Sequence, residues 1–221
     1  MAALTSLLLL AAPAKTPVVV ELFTSEGCSS CPSADEALSW LSREQPVDGV
    51  EVIPLALHVD YWDYLGWSDP FAQRQFVARQ EAYAEHGSGV YTPQMVVDGD
   101  ATFVGGKSAA LKALEARRGQ QTVPVKLTAT IDHDVLTARA SAESGTVWIA
   151  VTESALDSKV QRGENAGREL KHDAVVRKLS KGGGLELALP KAWKRDALTV
   201  VAFVQDNLGP VRGAAVVRPG H

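Results

Sequence analysis

Cys28 and Cys31 are the only cysteines in this 221-residue chain, and they share one CxxC. They fall where one periodicity gives way to another. Upstream, Val18, Val19, Val20, Leu22 and Phe23 form the short β-branched, apolar run of a buried strand. Downstream, Ala34, Ala37, Leu38 and Leu41 recur at the spacing of one helix face. A strand-to-helix turn therefore carries both sulfurs, with Pro32 in the first helical turn, where its missing N–H costs nothing. Two cysteines at this spacing either close a small disulfide or share a metal ion. A thiol at a helix start faces unpaired backbone N–H groups and the positive end of the helix dipole, which favour the thiolate. A purely structural bridge over so short a loop constrains the unfolded chain little, so redox use is the favoured reading.

Composition sets the frame for that turn. With 46% hydrophobic and 22% charged residues the chain is ordinary globular material, and a net charge of -4 offers no electrostatic reason to expect nucleic acid as a partner. Residues 1–14, MAALTSLLLLAAPA, combine an apolar run at Leu7 to Leu10 with a small-residue cleavage pattern at Ala12-Pro13-Ala14. They read as a secretory signal peptide, although no Lys or Arg precedes the run. The mature chain then starts near Lys15 and works in an oxidising compartment, periplasmic or secreted, with no stable membrane insertion after cleavage. The stretch Lys159 to Lys181, with seven Lys/Arg against three acids, reads as a solvated basic face.

In chain order, Val50 to Val59 predicts a second buried strand, with Pro54 at a bulge or a position free of ladder bonds. Asp69-Pro70 predicts a helix start, and the helix runs to about Glu85 while burying Ala72, Phe76 and Tyr83. Gln94 to Val97 and Ala101 to Val104 flank Asp98-Gly99 as a hairpin. Ser108 predicts the cap of a helix carrying Leu111 and Leu114. From Gln121 the texture changes to short alternating runs: Val123 to Ile131, Val135 to Ala142, Val147 to Thr152, Glu169 to Val176, Leu185 to Leu189, Leu198 to Gln205 and Val211 to Val217. Turn signals such as His133-Asp134 separate them, and the spacing predicts an antiparallel β-sandwich over 121–221.

Besides the cysteines, several side chains are candidates for chemistry. Glu21, in a buried strand, is a candidate proton acceptor with a raised pKa. Glu26, His58, Asp60 and Asp63 are candidate accessory residues, since the first two strands end on the same side of a sheet; Asp69, Trp62 and Trp67 lie in the same patch. His86 and His133 read as surface residues, and His172 as either an interdomain or a solvent-facing one. If the cysteines bind metal instead, Cys28 and Cys31 with His58 or Met95 form a soft site suited to copper(I) or zinc.

The β-α-β-α-β-β-α order to residue 119, the CxxC after the first strand and Thr92-Pro93 before the third resemble the thioredoxin-like superfamily. The resemblance implies an α/β thioredoxin-like domain over 15–120, ahead of the β-sandwich. It implies Cys28 as nucleophile, Cys31 as the resolving thiol, and a cis Thr92-Pro93 that docks substrate. Its partners would be protein thiols or disulfides, without a bound cofactor. More narrowly, V-E-L-F-T-S-E-G-C-S-S-C-P-S-A-D at Val20 to Asp35, H-V-D-Y-W-D-Y-L-G-W at His58 to Trp67, V-Y-T-P-Q-M-V-V-D-G at Val90 to Gly99 and G-E-N-A-G-R-E-L-K-H-D at Gly163 to Asp173 resemble the bacterial secreted family called domain of unknown function 1223. Cys28, preceding the helix, is expected to be the more exposed thiol, and Cys31 the shielded one.

Overall fold

A computed structural model describes residues 15–220; the signal peptide expected at 1–14 lies outside them. The β-branched run before the cysteines forms β1 (Thr16–Thr24), which passes directly into the CxxC turn and α1 (Cys31–Glu44). Strand β2 (Val50–His58) lies parallel to β1, and the register runs through Pro54 opposite Val20 without a bulge. After α2 (Arg74–Ala84) come β3 (Gln94–Val97), antiparallel to β1, and β4 (Ala101–Val104), antiparallel to β3. The turn between them needs Gly99: its φ is +68°, and a Cβ there would stand 2.4 Å from the Gly209 carbonyl oxygen. Helix α3 (Lys107–Arg117) follows, entered from Gly106 rather than capped by Ser108.

The second half is built of strands. These are β5 (Val125–Asp132), β6 (Val135–Ala142), β7 (Val147–Glu153), β8 (Leu156–Lys159), β9 (Glu169–His172), β10 (Val175–Lys181), β11 (Gly184–Ala188), β12 (Leu198–Val204) and β13 (Gly213–Val217). His133 and Asp134 both take positive φ, 45° and 66°, in the two-residue turn of the β5–β6 hairpin. The single strand expected at Glu169 to Val176 is broken at Asp173-Ala174 into β9 and β10, with Ala174 at φ 54°. β8 and β9 pair only with each other.

One eight-stranded sheet, ordered β13-β12-β7-β10-β2-β1-β3-β4, spans both halves of the chain. Its join is the parallel contact of β10 with β2, at Val175 opposite Ala56, with the Ala56 N–H donating to the Ala174 carbonyl at 2.9 Å. Alternation along the strands divides its apolar side chains between two faces. Val18, Val20 and Leu22 face α1 and α3, meeting Ala34, Leu38, Leu41, Ala110 and Leu114. On that same face farther along the sheet, Ile149, Val151, Val200 and Ala202 pack against Leu136, Ala138 and Leu185 of a three-stranded sheet, β11-β6-β5. The opposite face carries Phe23, Leu55, Ala150, Val201 and Phe203 in one core with Phe76, Val77 and Tyr83 of α2. This core crosses the join, so the two halves share an interior as well as a sheet.

Helix α2 starts four residues later than Asp69-Pro70 predicts at its earliest, because Gln73 is extended, with φ -140° and ψ 133°, and donates its N–H to the His58 carbonyl at 3.1 Å; the Asp69 carboxylate serves the turn ahead of the helix. One oxygen accepts the Phe71 N–H at 2.9 Å, and the other accepts from Glu26 N–H at 2.9 Å and His58 Nδ1 at 2.7 Å. Phe76 and Tyr83 are buried as expected, while Ala72 lies ahead of the helix and is half-buried.

Candidate functional site

Cys28 and Cys31 are joined by a disulfide at the N-terminus of α1. The turn is built from local bonds: Gly27 N–H donates to Ser25 Oγ at 3.1 Å, Cys28 N–H to the Ser25 carbonyl and Cys31 N–H to the Cys28 carbonyl, both at 3.2 Å. Gly27 has no room for a side chain, since a Cβ would come within 2.7 Å of the Trp62 Cβ. Ser30, at the N-cap position, leaves its hydroxyl uncommitted to the helix; Oγ lies 3.3 Å from Cys28 Sγ.

Burial corrects one expectation directly. Cys28 is 1% exposed and Cys31 0%, so neither sulfur is the more accessible, whereas Ser29 and Ser30 between them are exposed. The shielding comes from the second half of the chain. Asn165, itself fully buried, donates from Nδ2 to the carbonyls of Glu26 at 2.8 Å and Cys28 at 2.9 Å, and Arg168 steadies its Oδ1 at 2.8 Å. Beside it, Glu164 accepts the Ser29 N–H at 2.9 Å. The basic stretch read as a solvated face therefore supplies the roof of the turn.

Below the turn lies a buried group of ionisable side chains: Glu26, Asp35, His58, Asp69 and His172. Glu26 accepts from Trp67 Nε1 at 2.7 Å and pairs with His172 Nε2 at 3.0 Å. The rings of His58 and His172 meet edge to face with centroids 5.0 Å apart. Burial opposes the charged form of His58, but the neighbouring Asp69 carboxylate and its hydrogen bond outweigh that and hold the imidazole pKa above its ordinary value. Asp69 is likewise penalised by burial, yet His58 and the N–H donors of Glu26 and Phe71 bring its pKa below the usual carboxylate range. For Asp35 burial prevails over His58 and His172, and its pKa is raised. Asp35 is four residues after Cys31 and so lies on the same helix face. Asp35 Oδ1, His58 Nε2 and Thr24 Oγ1 are all buried without a hydrogen-bond partner.

The remaining candidates divide clearly. Thr92 accepts Trp62 Nε1 at 2.8 Å, and the Thr92-Pro93 peptide is cis. Gly105 abuts both Pro93 and Ala34, which places the proline against the first turns of α1. Asp63 braces its own loop by accepting from Ser68 Oγ and Asp69 N–H, and Asp60 reaches outward to Arg74 at 3.7 Å. Neither joins the buried group. Glu21 does not either: its carboxylate faces α2, bonded to Arg79 Nε and Nη2 and to Tyr83 Oη. Both its oxygens are spent in an ion pair, which leaves it no role as proton acceptor. His86 and His133 are exposed, and His172 lies at the seam between the halves. Met95 is buried in the core. Among the described residues no group of three or more His, Cys, Asp or Glu side chains is placed to hold a metal, so the Cys28, Cys31 and His58 set is not assembled. No helix among them is long and apolar enough to cross a membrane.

Sequence reasoning missed Asn165, Glu164 and Asp35. The family-like run Gly163 to Asp173 was the one signal pointing to the first two, but nothing local links it to a turn some 137 residues earlier in the chain.

The fold and site together define a mixed α/β protein whose CxxC disulfide is enclosed by both halves of one chain. Residues 19–205 match the family model described as "Protein of unknown function (DUF1223)", and the chain belongs to that family. Among solved structures it is similar to an Agrobacterium tumefaciens protein determined by X-ray crystallography. That match has 28% identity and a TM-score of 0.69 over 93% of this chain and 96% of the other. HBP35 of Porphyromonas gingivalis is similar in fold at a TM-score of 0.69, with 16% identity over 95% of this chain and 77% of that one. No curated protein matches the sequence.

Proposed function

We propose that this protein is a thiol-disulfide oxidoreductase of the periplasm or the extracellular space, with a thioredoxin-like first half and a β-sandwich-like second half. The observation that carries the reading is the pairing of the chain's only two cysteines at the start of α1, directly above a buried group of carboxylates and imidazoles. A disulfide serving only as a staple needs no ionisable groups beneath it. Exchange moves protons with each sulfur, and burial raises the pKa of Asp35 while Asp69, against burial, raises that of His58.

In the reductive direction, the Cys28 thiolate attacks one sulfur of a substrate disulfide. The Cys28–substrate bond forms, the substrate S–S bond breaks, and the second substrate sulfur leaves as a thiolate that takes up a proton. Cys31 then gives up its proton and attacks Cys28 Sγ, closing the internal disulfide and releasing the first substrate sulfur as a thiol. Two electrons pass from the protein to the substrate; oxidation of a substrate dithiol runs the same steps backwards. Cys28 is the entry point in this scheme because it precedes α1, while Cys31 is its first residue and packs with the helix.

The test is disulfide trapping. Cys31→Ser should accumulate mixed disulfides with partner proteins, seen as thiol-sensitive bands on non-reducing gels, and Cys28→Ser should give few or none. Equal trapping by both variants, or a wild-type pair inert to glutathione and protein disulfides alike, would sink the proposal.

A further inference from the structure

Glu164 brings a negative charge from the second half of the chain to the peptide N–H immediately after Cys28. Its Oε2 accepts the Ser29 N–H at 2.9 Å, and Ser29 hydrogen bonds keep its carboxyl below the usual range. The start of α1 has no acidic residue in its first turn, and Glu164 brings a carboxylate to the Ser29 N–H just ahead of the N-cap Ser30. The backbone donors of the turn, with the Ser30 hydroxyl 3.3 Å from Cys28 Sγ, are what a Cys28 thiolate would draw on. A carboxylate on the Ser29 N–H occupies one of them and repels the thiolate as well. Position is assured by the neighbouring residue: Asn165 is buried and clamped to the Glu26 and Cys28 carbonyls, so the carboxylate cannot drift from the turn.

We propose that Glu164 is a positioning residue that sets the reduction potential of the Cys28–Cys31 pair, disfavouring the Cys28 thiolate and so making the pair a stronger reductant. The inference rests on the exchange chemistry proposed above. A reduced form stabilised as thiolate is an oxidant's device; Glu164 acts in the opposite sense. The other ionisable groups facing the turn are Glu26, Asp35, His58, Asp69 and His172 from below and Arg168 from the same loop. All remain in place in a Glu164 variant.

The experiment uses the full chain with Glu164→Gln and Glu164→Asp. In a Cys31→Ser background, the pH dependence of iodoacetamide alkylation reports the Cys28 pKa. With both cysteines present, equilibration in glutathione buffers reports the potential. Glu164→Gln should lower the Cys28 pKa by about half a unit, a roughly threefold change. The equilibrium constant should move about threefold toward reduction, ~15 mV, and Glu164→Asp should stay near wild type. Because Glu164 is exposed, both shifts should shrink in 1 M salt. A merely structural latch would change the unfolding midpoint and leave the thiol pKa alone. An unchanged Cys28 pKa, or a rise, in Glu164→Gln overturns the inference. Alkylation needs no exchange partner, so this arm decides the role of Glu164 even if the wild-type pair proves inert to glutathione, a result that would count against the proposed function instead.

Discussion

Two of the buried ionic clusters among the described residues are built from opposite materials. On the α2 face, Glu21 is bound by the Arg79 guanidinium and by Tyr83 Oη, and Gln205 from the second half accepts from Arg79 at 2.6 Å and donates to Tyr83 at 2.8 Å. The guanidinium also lies over the rings of Tyr83, Trp148 and Phe203, 5.3 to 5.5 Å from their centroids. The Arg79 pKa is displaced upward, burial being outweighed by Glu21. Under the disulfide the basic groups are imidazoles, and Asp35, His58 and Thr24 each keep a buried polar atom without a partner, as Arg79 does with Nη1 in the first cluster. Both clusters tie the two halves together. In the second the pKa values of both His58 and Asp35 are displaced upward, and it is the one beside the sulfurs. Placement of the titratable groups, more than burial itself, separates the structural pair from the chemical one.

Breaking the Arg79 side should produce the largest effect. Arg79→Met strands the Glu21 carboxylate in a dry interior and should cost about 3–5 kcal/mol in urea unfolding, whereas Glu21→Gln with Arg79→Met should recover much of it. Recovery by the double variant would mark the pair as structural; a double variant that still folds but loses disulfide exchange would erase the contrast between the clusters.

Next in size is Asp69→Asn, which removes the charge holding His58 and should cost about 1.5–3 kcal/mol. Its pH profile sharpens the comparison. The raised His58 pKa contributes stability that is fully present below about pH 6.5 and lost as pH rises through the folded value. The depressed Asp69 pKa contributes stability present above about pH 4 and lost as pH falls through its own folded value. The gap between wild type and Asp69→Asn should therefore be widest between about pH 4 and 6.5 and narrow on both sides. A gap that is flat from pH 4 to 9 would show that Asp69 serves only as a hydrogen-bond acceptor.

Asn165→Ala should have the smallest effect on stability, about 1–2 kcal/mol, since the Cys28 carbonyl keeps the Cys31 N–H as a donor. Its clearer sign should be faster reduction of the disulfide by dithiothreitol, because the roof over Cys28 is loosened. An unchanged rate would mean that the loop does not limit access.

The parts that were legible in the sequence are those governed by neighbours in the chain. The Val18–Phe23 run, the α1 face and the His133-Asp134 turn each carry their own periodicity or backbone demand. The misread parts depend on partners far away. Asp69-Pro70 is a sound helix-start signal, but the His58 carbonyl draws Gln73 into an extended conformation and delays the helix. Glu21 is a plausible acid until Arg79, 58 residues on, is brought against it. β8 is short and mostly polar, so no alternation betrays it; β9 is legible only as part of one strand with β10; and Lys159 to Lys181 looks like solvated charge because the side chains that matter there, Asn165 and His172, are diluted among exposed ones. The run of β10 alongside β2 has no local signature at all.

That join bears on how the chain must be made. Residues up to about 120 leave the ribosome first, carrying β2 with the edge that β10 will later cover and an apolar face whose partners include Val201 and Phe203. An uncovered apolar strand edge invites pairing with other chains. The segment bearing the CxxC thus cannot finish its sheet or its core until some 80 further residues have been synthesised. Throughout that interval both thiols sit in an unfinished fold without their Asn165 roof, so the nascent chain is at its most vulnerable to wrong disulfides before its own disulfide is enclosed.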